Sequence, residues 1–122
     1  MKKLLLTLVT VSFLALGSAN AAESTAPKSI VHVVTVSWKA GTMPDQIKAA
    51  LDGAQALPAA YKGITHVWTK TVKAQGDRTN AIVMEFVDEA AFKAYTDSDA
   101  QKEWYKVYLP IRDHSTTFDI TN

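Results

Sequence analysis

Residues 30–38 read IVHVVTVSW, a run of β-branched positions with a single histidine set into it. Such a run predicts a strand. A period of two puts His32, Val34, Val36 and Trp38 on one face and Val31, Val33, Thr35 and Ser37 on the other. Neither set is plainly hydrophilic, so both faces are expected to be covered. Lys39-Ala40-Gly41-Thr42 supplies a turn, and a helix is expected from about Met43, with Thr42 and Asp45 spaced as a capping box and Pro44 in the first turn. Ile47, Ala50, Leu51, Ala54 and Leu57 form one apolar stripe, opposed by Asp45, Lys48, Asp52 and Gln55. Pro58 is expected to end that helix.

The alternation resumes at residues 64–73, ITHVWTKTVK, where Ile64, His66 and Trp68 share a predicted face. A Gly-containing loop at 74–78 separates this strand from a third at 79–87, TNAIVMEFV, and the two are expected to pair as a hairpin. Asp88 caps a short helix carrying Ala91, Phe92 and Tyr95; Ser98, with Gln101 three residues on, caps a second one carrying Trp104, Val107, Tyr108 and Ile111. Residues 113–121, DHSTTFDIT, close the chain as a strand, with His114 and Phe118 expected on its helix-facing side. The order β-α-β-β-α-β is that of an α+β, ferredoxin-like protomer: a four-stranded antiparallel sheet with helices on one face. The other face is expected to show Val34, Trp38, Ile64 and Trp68. A patch that apolar seeks a partner, and two copies laid face to face would enclose a barrel.

Ahead of this domain stand Met1-Lys2-Lys3, an apolar run from Leu4 to Leu16, and a small-residue A-x-A pattern at Ala19 and Ala21. The pattern is that of a signal peptide cleaved after Ala21, the run being short for a membrane span. The chain is therefore expected to be exported, to the periplasm or beyond, with residues 22–29 as a flexible leader and 30–122 as the domain. After cleavage no membrane span is expected. The sequence has no cysteine, which excludes both a lipid-anchored cysteine and disulfides. A domain of about a hundred residues then relies on packing, and a homodimer adds buried surface. Two of the 13 basic residues, Lys2 and Lys3, fall in the leader, which leaves a slight acidic excess against 12 acidic residues. Dispersed Lys and Arg of this kind exclude a nucleic-acid partner.

Several segments in order resemble the stress-responsive dimeric α/β barrel (Dabb) family: His32-Val33-Val34 in the first strand, the Pro58 to Gly63 turn, Glu85-Phe86-Val87-Asp88, Tyr95 late in the next helix, and Phe118-Asp119 in the last strand. The resemblance implies a ferredoxin-like protomer, a dimeric α/β barrel built by opposed sheets, and a cavity for a small hydrophobic or aromatic ligand, with no cofactor. The chain is also similar to a plant olivetolic acid cyclase, whose catalytic Tyr corresponds to Tyr95. Its catalytic His falls at Gln101, which cannot act as a base. Antibiotic-biosynthesis monooxygenases share the architecture.

The candidate ligand-binding residues are His32, Trp38, Ile64, His66, Trp68 and Tyr95. The His32 imidazole on a strand face can bind or shuttle a proton, and His66 with Trp68 can clamp an aromatic or anionic group. Tyr95 can present a hydroxyl; His32 and Tyr95 are the catalytic candidates. Structural roles at a dimer seam compete for the same residues. The three histidines lack the short spacing of a zinc site, and Asp97-Ser98-Asp99 lacks the Gly and Glu of a calcium loop, so no metal is expected. Three functions follow: an exported binding protein, a cofactor-independent monooxygenase or cyclase-like lyase using His32 or His66 with Tyr95, or a purely structural dimer.

Overall fold

The computed structural model describes residues 28–122; the expected signal peptide and most of the leader lie outside them. The elements are β1 (Ile30–Trp38), α1 (Pro44–Gln55), α2 (Leu57–Ala60), β2 (Ile64–Trp68), β3 (Asn80–Phe86), α3 (Glu89–Tyr95), α4 (Asp99–Tyr108) and β4 (Arg112–Thr121). All strand pairs are antiparallel, in the order β2-β3-β1-β4. This is the ferredoxin-like arrangement, with each crossover divided into two helices.

Local chemistry sets the boundaries. Pro58 does not simply end α1: it sits inside the first turn of α2, where its missing N–H leaves nothing unsatisfied. The first helix is capped one residue later than Thr42 and Asp45 suggest. Gln46 Oε1 accepts from the Met43 N–H at 2.9 Å, while the Thr42 hydroxyl donates to the Lys39 carbonyl. Asp88 and Ser98 cap α3 and α4 as expected, accepting from the Ala91 and Gln101 amides. Between these two helices Asp97 takes a left-handed conformation at φ 63°, which lets the chain change direction without a glycine. β2 stops at Trp68, well short of residue 73, because Thr71 turns its hydroxyl oxygen to accept from the Ala81 amide where a strand would place a carbonyl.

The helices bury the sheet face of β1 that carries His32, Val34, Val36 and Trp38. Trp38 meets the Tyr108 ring edge-on at 6.1 Å and His32 lies 5.9 Å from Phe92, both partners being helical. Val36, Ile82, Met84 and Phe86 are fully buried on this side, and Ile64 nearly so. Trp104 stacks on Tyr108 at 4.4 Å and donates its indole N–H to the Ala50 carbonyl, joining α4 to α1. The expected open patch of Val34, Trp38, Ile64 and Trp68 is thus corrected. Three of the four belong to the core, since the stripes of the helices need an unbroken apolar surface beneath them.

Trp68 alone of that set lies on the uncovered face. The pairing of β2 with β3 slips between Ile64 and His66, so Ile64 opposes Phe86 whereas His66 and Trp68 oppose Glu85 and Val83. One extra residue in a strand exchanges the faces of everything beyond it. The uncovered face therefore comprises Val31 and Val33, Val83, His66, Trp68, and Phe118 and Ile120, which pair with Val33 and Val31. His114 and Phe118 share this face rather than the helix side expected for them, because Asp119, of the opposite parity, is the residue that meets His32.

Gly63 marks the tightest point between the α2–β2 turn and α3. A Cβ there would stand 2.6 Å from the Tyr61 ring and 2.7 Å from the Ala91 Cβ, and Tyr61 is itself fixed by donating to the Ala91 carbonyl. Gly63→Ala is expected to lower the unfolding free energy by about 1–3 kcal/mol in urea denaturation; an unchanged midpoint would refute this packing.

Candidate functional site

On the helix side of the sheet, β1 and β4 bring two polar side chains together. His32 opposes Asp119 in register, and its Nδ1 lies 2.5 Å from Asp119 Oδ1. An ionised carboxylate only accepts, so Nδ1 carries the proton and donates it, which in the neutral imidazole leaves the lone pair on Nε2. The imidazole is packed against Phe86, at 6.3 Å and nearly perpendicular, and against Phe92 of α3. A 22% exposed side chain leaves it reachable. Asp119 and Phe92 also line a groove of about 270 Å3 with Ile30, Ile120, Thr121 and the Glu89–Lys93 ion pair. A basic nitrogen oriented by a carboxylate, beside aromatic rings and an open groove, can bind a polar group on an apolar molecule or accept a proton from it.

Tyr95 approaches the same region from α3. Its ring lies 5.2 Å from Phe86, on which His32 also rests, and 5.4 Å from Tyr61. The side chain is buried and its hydroxyl has no hydrogen-bond partner. Burial, with the neighbouring Tyr105 adding to it, pushes the Tyr95 phenol well above its ordinary value. It remains a proton donor at any physiological pH.

The remaining candidates divide. Trp38 and Ile64 lie on the helix side, but Trp38 gives its N–H to Asn80 Oδ1 at 2.8 Å and Ile64 is core. Both read as structural. His66 and Trp68 lie on the opposite face, stacked at 5.6 Å, with His66 Nδ1 2.7 Å from Glu85 Oε1. The same oxygen accepts from the Thr65 hydroxyl, and these two bonds, Thr65 first, hold the Glu85 carboxyl below its ordinary value. The sheet separates this cluster from Tyr95, so the expectation that all six candidates share one chamber is corrected. Asp119 was the partner missed. Phe118-Asp119 stood out only as a family motif, although strict alternation in a strand ending opposite His32 would have offered it. Gln101, at the cyclase His position, donates to the Tyr105 hydroxyl and accepts from the Asp97 amide. Among the described residues no group of three acidic or histidine side chains is placed to hold a metal ion.

A family model described as the stress responsive A/B barrel domain matches residues 30–122. The chain belongs to the Dabb family. Solved structures share its fold at low identity. A dimeric ferredoxin-like protein of unknown function from Thermobifida fusca is 21% identical with a TM-score of 0.65, over 77% of this chain and 91% of that one. A hydroxynitrile lyase from Passiflora edulis is 17% identical with a TM-score of 0.70, over 79% and 94%. A cofactor-independent oxygenase from Streptomyces nogalater is 12% identical with a TM-score of 0.63, over 78% and 93%. Among curated proteins none matches this Dabb chain in sequence.

A buried hydroxyl without a partner costs about 1–3 kcal/mol relative to an apolar replacement. Tyr95→Phe is therefore expected to leave the ligand-free protein about 1–3 kcal/mol more stable in urea unfolding. A marked loss would mean that the hydroxyl has a structural partner after all.

Proposed function

We propose that this Dabb protein is an exported, homodimeric stress-response protein that binds a small hydrophobic or aromatic molecule between α3 and the β1–β4 edge of the sheet. The observation that carries the reading is His32 held by Asp119 between Phe86 and Phe92, two of these neighbours, Asp119 and Phe92, lining an accessible groove. A ligand seated there meets aromatic surface on its body and one imidazole at its polar end. Each protomer then holds its own site, on the side of the sheet away from the partner. Export is supported by the leader pattern of residues 1–21. No helix among the described residues is long and apolar enough to cross a membrane.

Assembly is supported by the uncovered face. Phe118 is 60% exposed, Ile120 56% and Trp68 51%, a contiguous apolar surface on one protomer. The Thermobifida fusca protein of the same fold is described as dimeric. Sedimentation at micromolar concentration is expected to give twice the protomer mass, and Phe118→Asp, which sets a charge on the β4 side of that face, to give the protomer alone. A wild-type protomer would sink the assembly.

A second reading is favoured by the same histidine. An imidazole fixed by a carboxylate is how a general base is positioned, and Tyr95, a protonated phenol, packs against the same Phe86 ring. The chemistry would be cofactor-independent proton transfer, in keeping with a fold that also houses a protein described as a hydroxynitrile lyase and one described as a cofactor-independent oxygenase. One screen tests both. Thermal-shift measurements against aromatic and polyketide-like compounds are expected to find ligands that stabilise the wild type, by about 2.7 kcal/mol at a hundred times Kd, and that lose most of this effect in His32→Ala. Ligands unaffected by that substitution would move the site elsewhere, and bound compounds recovered chemically unchanged would end the catalytic reading.

A further inference from the structure

Beyond the histidine, the helix side of β4 continues as an uncovered ledge. Ser115, Thr117 and Asp119 pair with Val36, Val34 and His32. Val34 and Val36 are buried by the helices, whereas Thr117 and Asp119 are exposed, so the helical cover ends over β1 and leaves its neighbour open. At the far end of this ledge, past the irregularity at Ser37 and Trp38, stands Arg112, paired with Trp38. Its guanidinium lies over the Tyr108 ring, 5.7 Å from the centroid. The ledge thus runs from an imidazole–carboxylate pair to a guanidinium.

Arg112 is set apart from the other cations. Every described lysine is exposed, and Arg78, the other half-buried arginine, is paired with Asp77. Arg112 is half-buried and has no carboxylate within ion-pair distance among the described residues. Beside it lies the buried Tyr108 hydroxyl, with the Ser115 hydroxyl and the Arg112 guanidinium as its polar neighbours. Burial raises the Tyr108 phenol above its ordinary value, which keeps it a donor. A guanidinium and two hydroxyls form a donor-rich set with no carboxylate among them. The position near the C-terminal end of α4 favours a cation there but supplies no counter-ion.

We infer that Arg112, with Tyr108 and Ser115, holds the carboxylate of the ligand whose other end lies against His32 and Asp119. The ligand class is then a carboxylate-headed amphiphile, an alkanoic or arylalkanoic acid. Its length follows from the strand: four residues from Ser115 to Asp119 span about 13 Å at the rise of an extended chain. A head at Arg112 and a tail at Phe92 place the apolar body along the ledge, over the Val34–Val36 edge of the core. This inference rests on the site proposed above and adds the nature of the head group.

The test is a titration of the folded protein, followed by NMR chemical shifts, with dodecanoate and 8-phenyloctanoate, which match that span, against their methyl esters. Each acid is expected to bind at least tenfold more tightly than its ester, since a hydrogen bond to a charged partner contributes about twice what a neutral one does. That preference is expected to vanish in Arg112→Met and to survive in part in Arg112→Lys. Ser115→Asp gives a second variant that keeps the guanidinium and its ring contact, sets a carboxylate beside it, and is expected to abolish the preference as well. Acid and ester binding equally, with both weakened by His32→Ala, would overturn the head-group assignment and leave the apolar site standing. Neither binding at millimolar concentration, or shifts confined to the uncovered sheet face, would overturn the site and this inference together.

Discussion

Phe86 is the constraint on which the arrangement depends. It is fully buried at the end of β3, paired in register with Ile30 of β1 and Ile64 of β2, and its ring lies within about 6 Å of those of Phe92, Tyr95 and His32. A single aromatic side chain thereby fixes the approach of α3 to the sheet and the wall against which the imidazole rests. Edge-on ring contacts add directional preference to burial. The site is consequently held by the same packing that holds the fold, and its two polar residues come from strands whose register leaves them little freedom.

The sheet is a single layer with two unlike surfaces. Toward the helices it offers core residues and, along its β4 margin, a polar strip. Away from them it offers valines, Phe118, Ile120 and the stacked His66–Trp68 pair. Because successive residues of a strand point in opposite directions, His32 is flanked by Val31 and Val33, which belong to the other surface. The surfaces proposed for recognition and for assembly are therefore interleaved in sequence yet separated in space by the thickness of one sheet.

Much of the fold was legible. The Val- and Ile-rich alternation of residues 30–38, the Asp88 and Ser98 caps, and the stripe from Ile47 to Leu57 each dictate an element by local chemistry, and together they leave one topology. The site was legible in part. His32 and Tyr95 were found as titratable or polar groups on apolar elements, and both sit against Phe86. What failed was the direction of the faces. Periodicity says which residues share a face and is silent on which face the helices take, so Trp38 and Ile64 were assigned to the wrong side. The slip after Ile64 is a second limit: His66 and Ile64 have the same parity in sequence, and only the unequal pairing with β3 separates them. Asp119 escaped because its meaning comes from a register spanning nearly ninety residues of chain.

β4 has a further consequence through its outer edge. It is ten residues long and, among the described residues, pairs on one side only, with β1, so a row of amides and carbonyls faces outward there. Margins of that kind are templates on which foreign strands can grow. This one is guarded by Arg112, Asp113 and His114 at its start, by the irregularity opposite Ser37 and Trp38 that breaks its straight run, and by Asp119 near its end. The aspartate that steadies an imidazole also interrupts the longest stretch on which an amyloid-like ladder could begin.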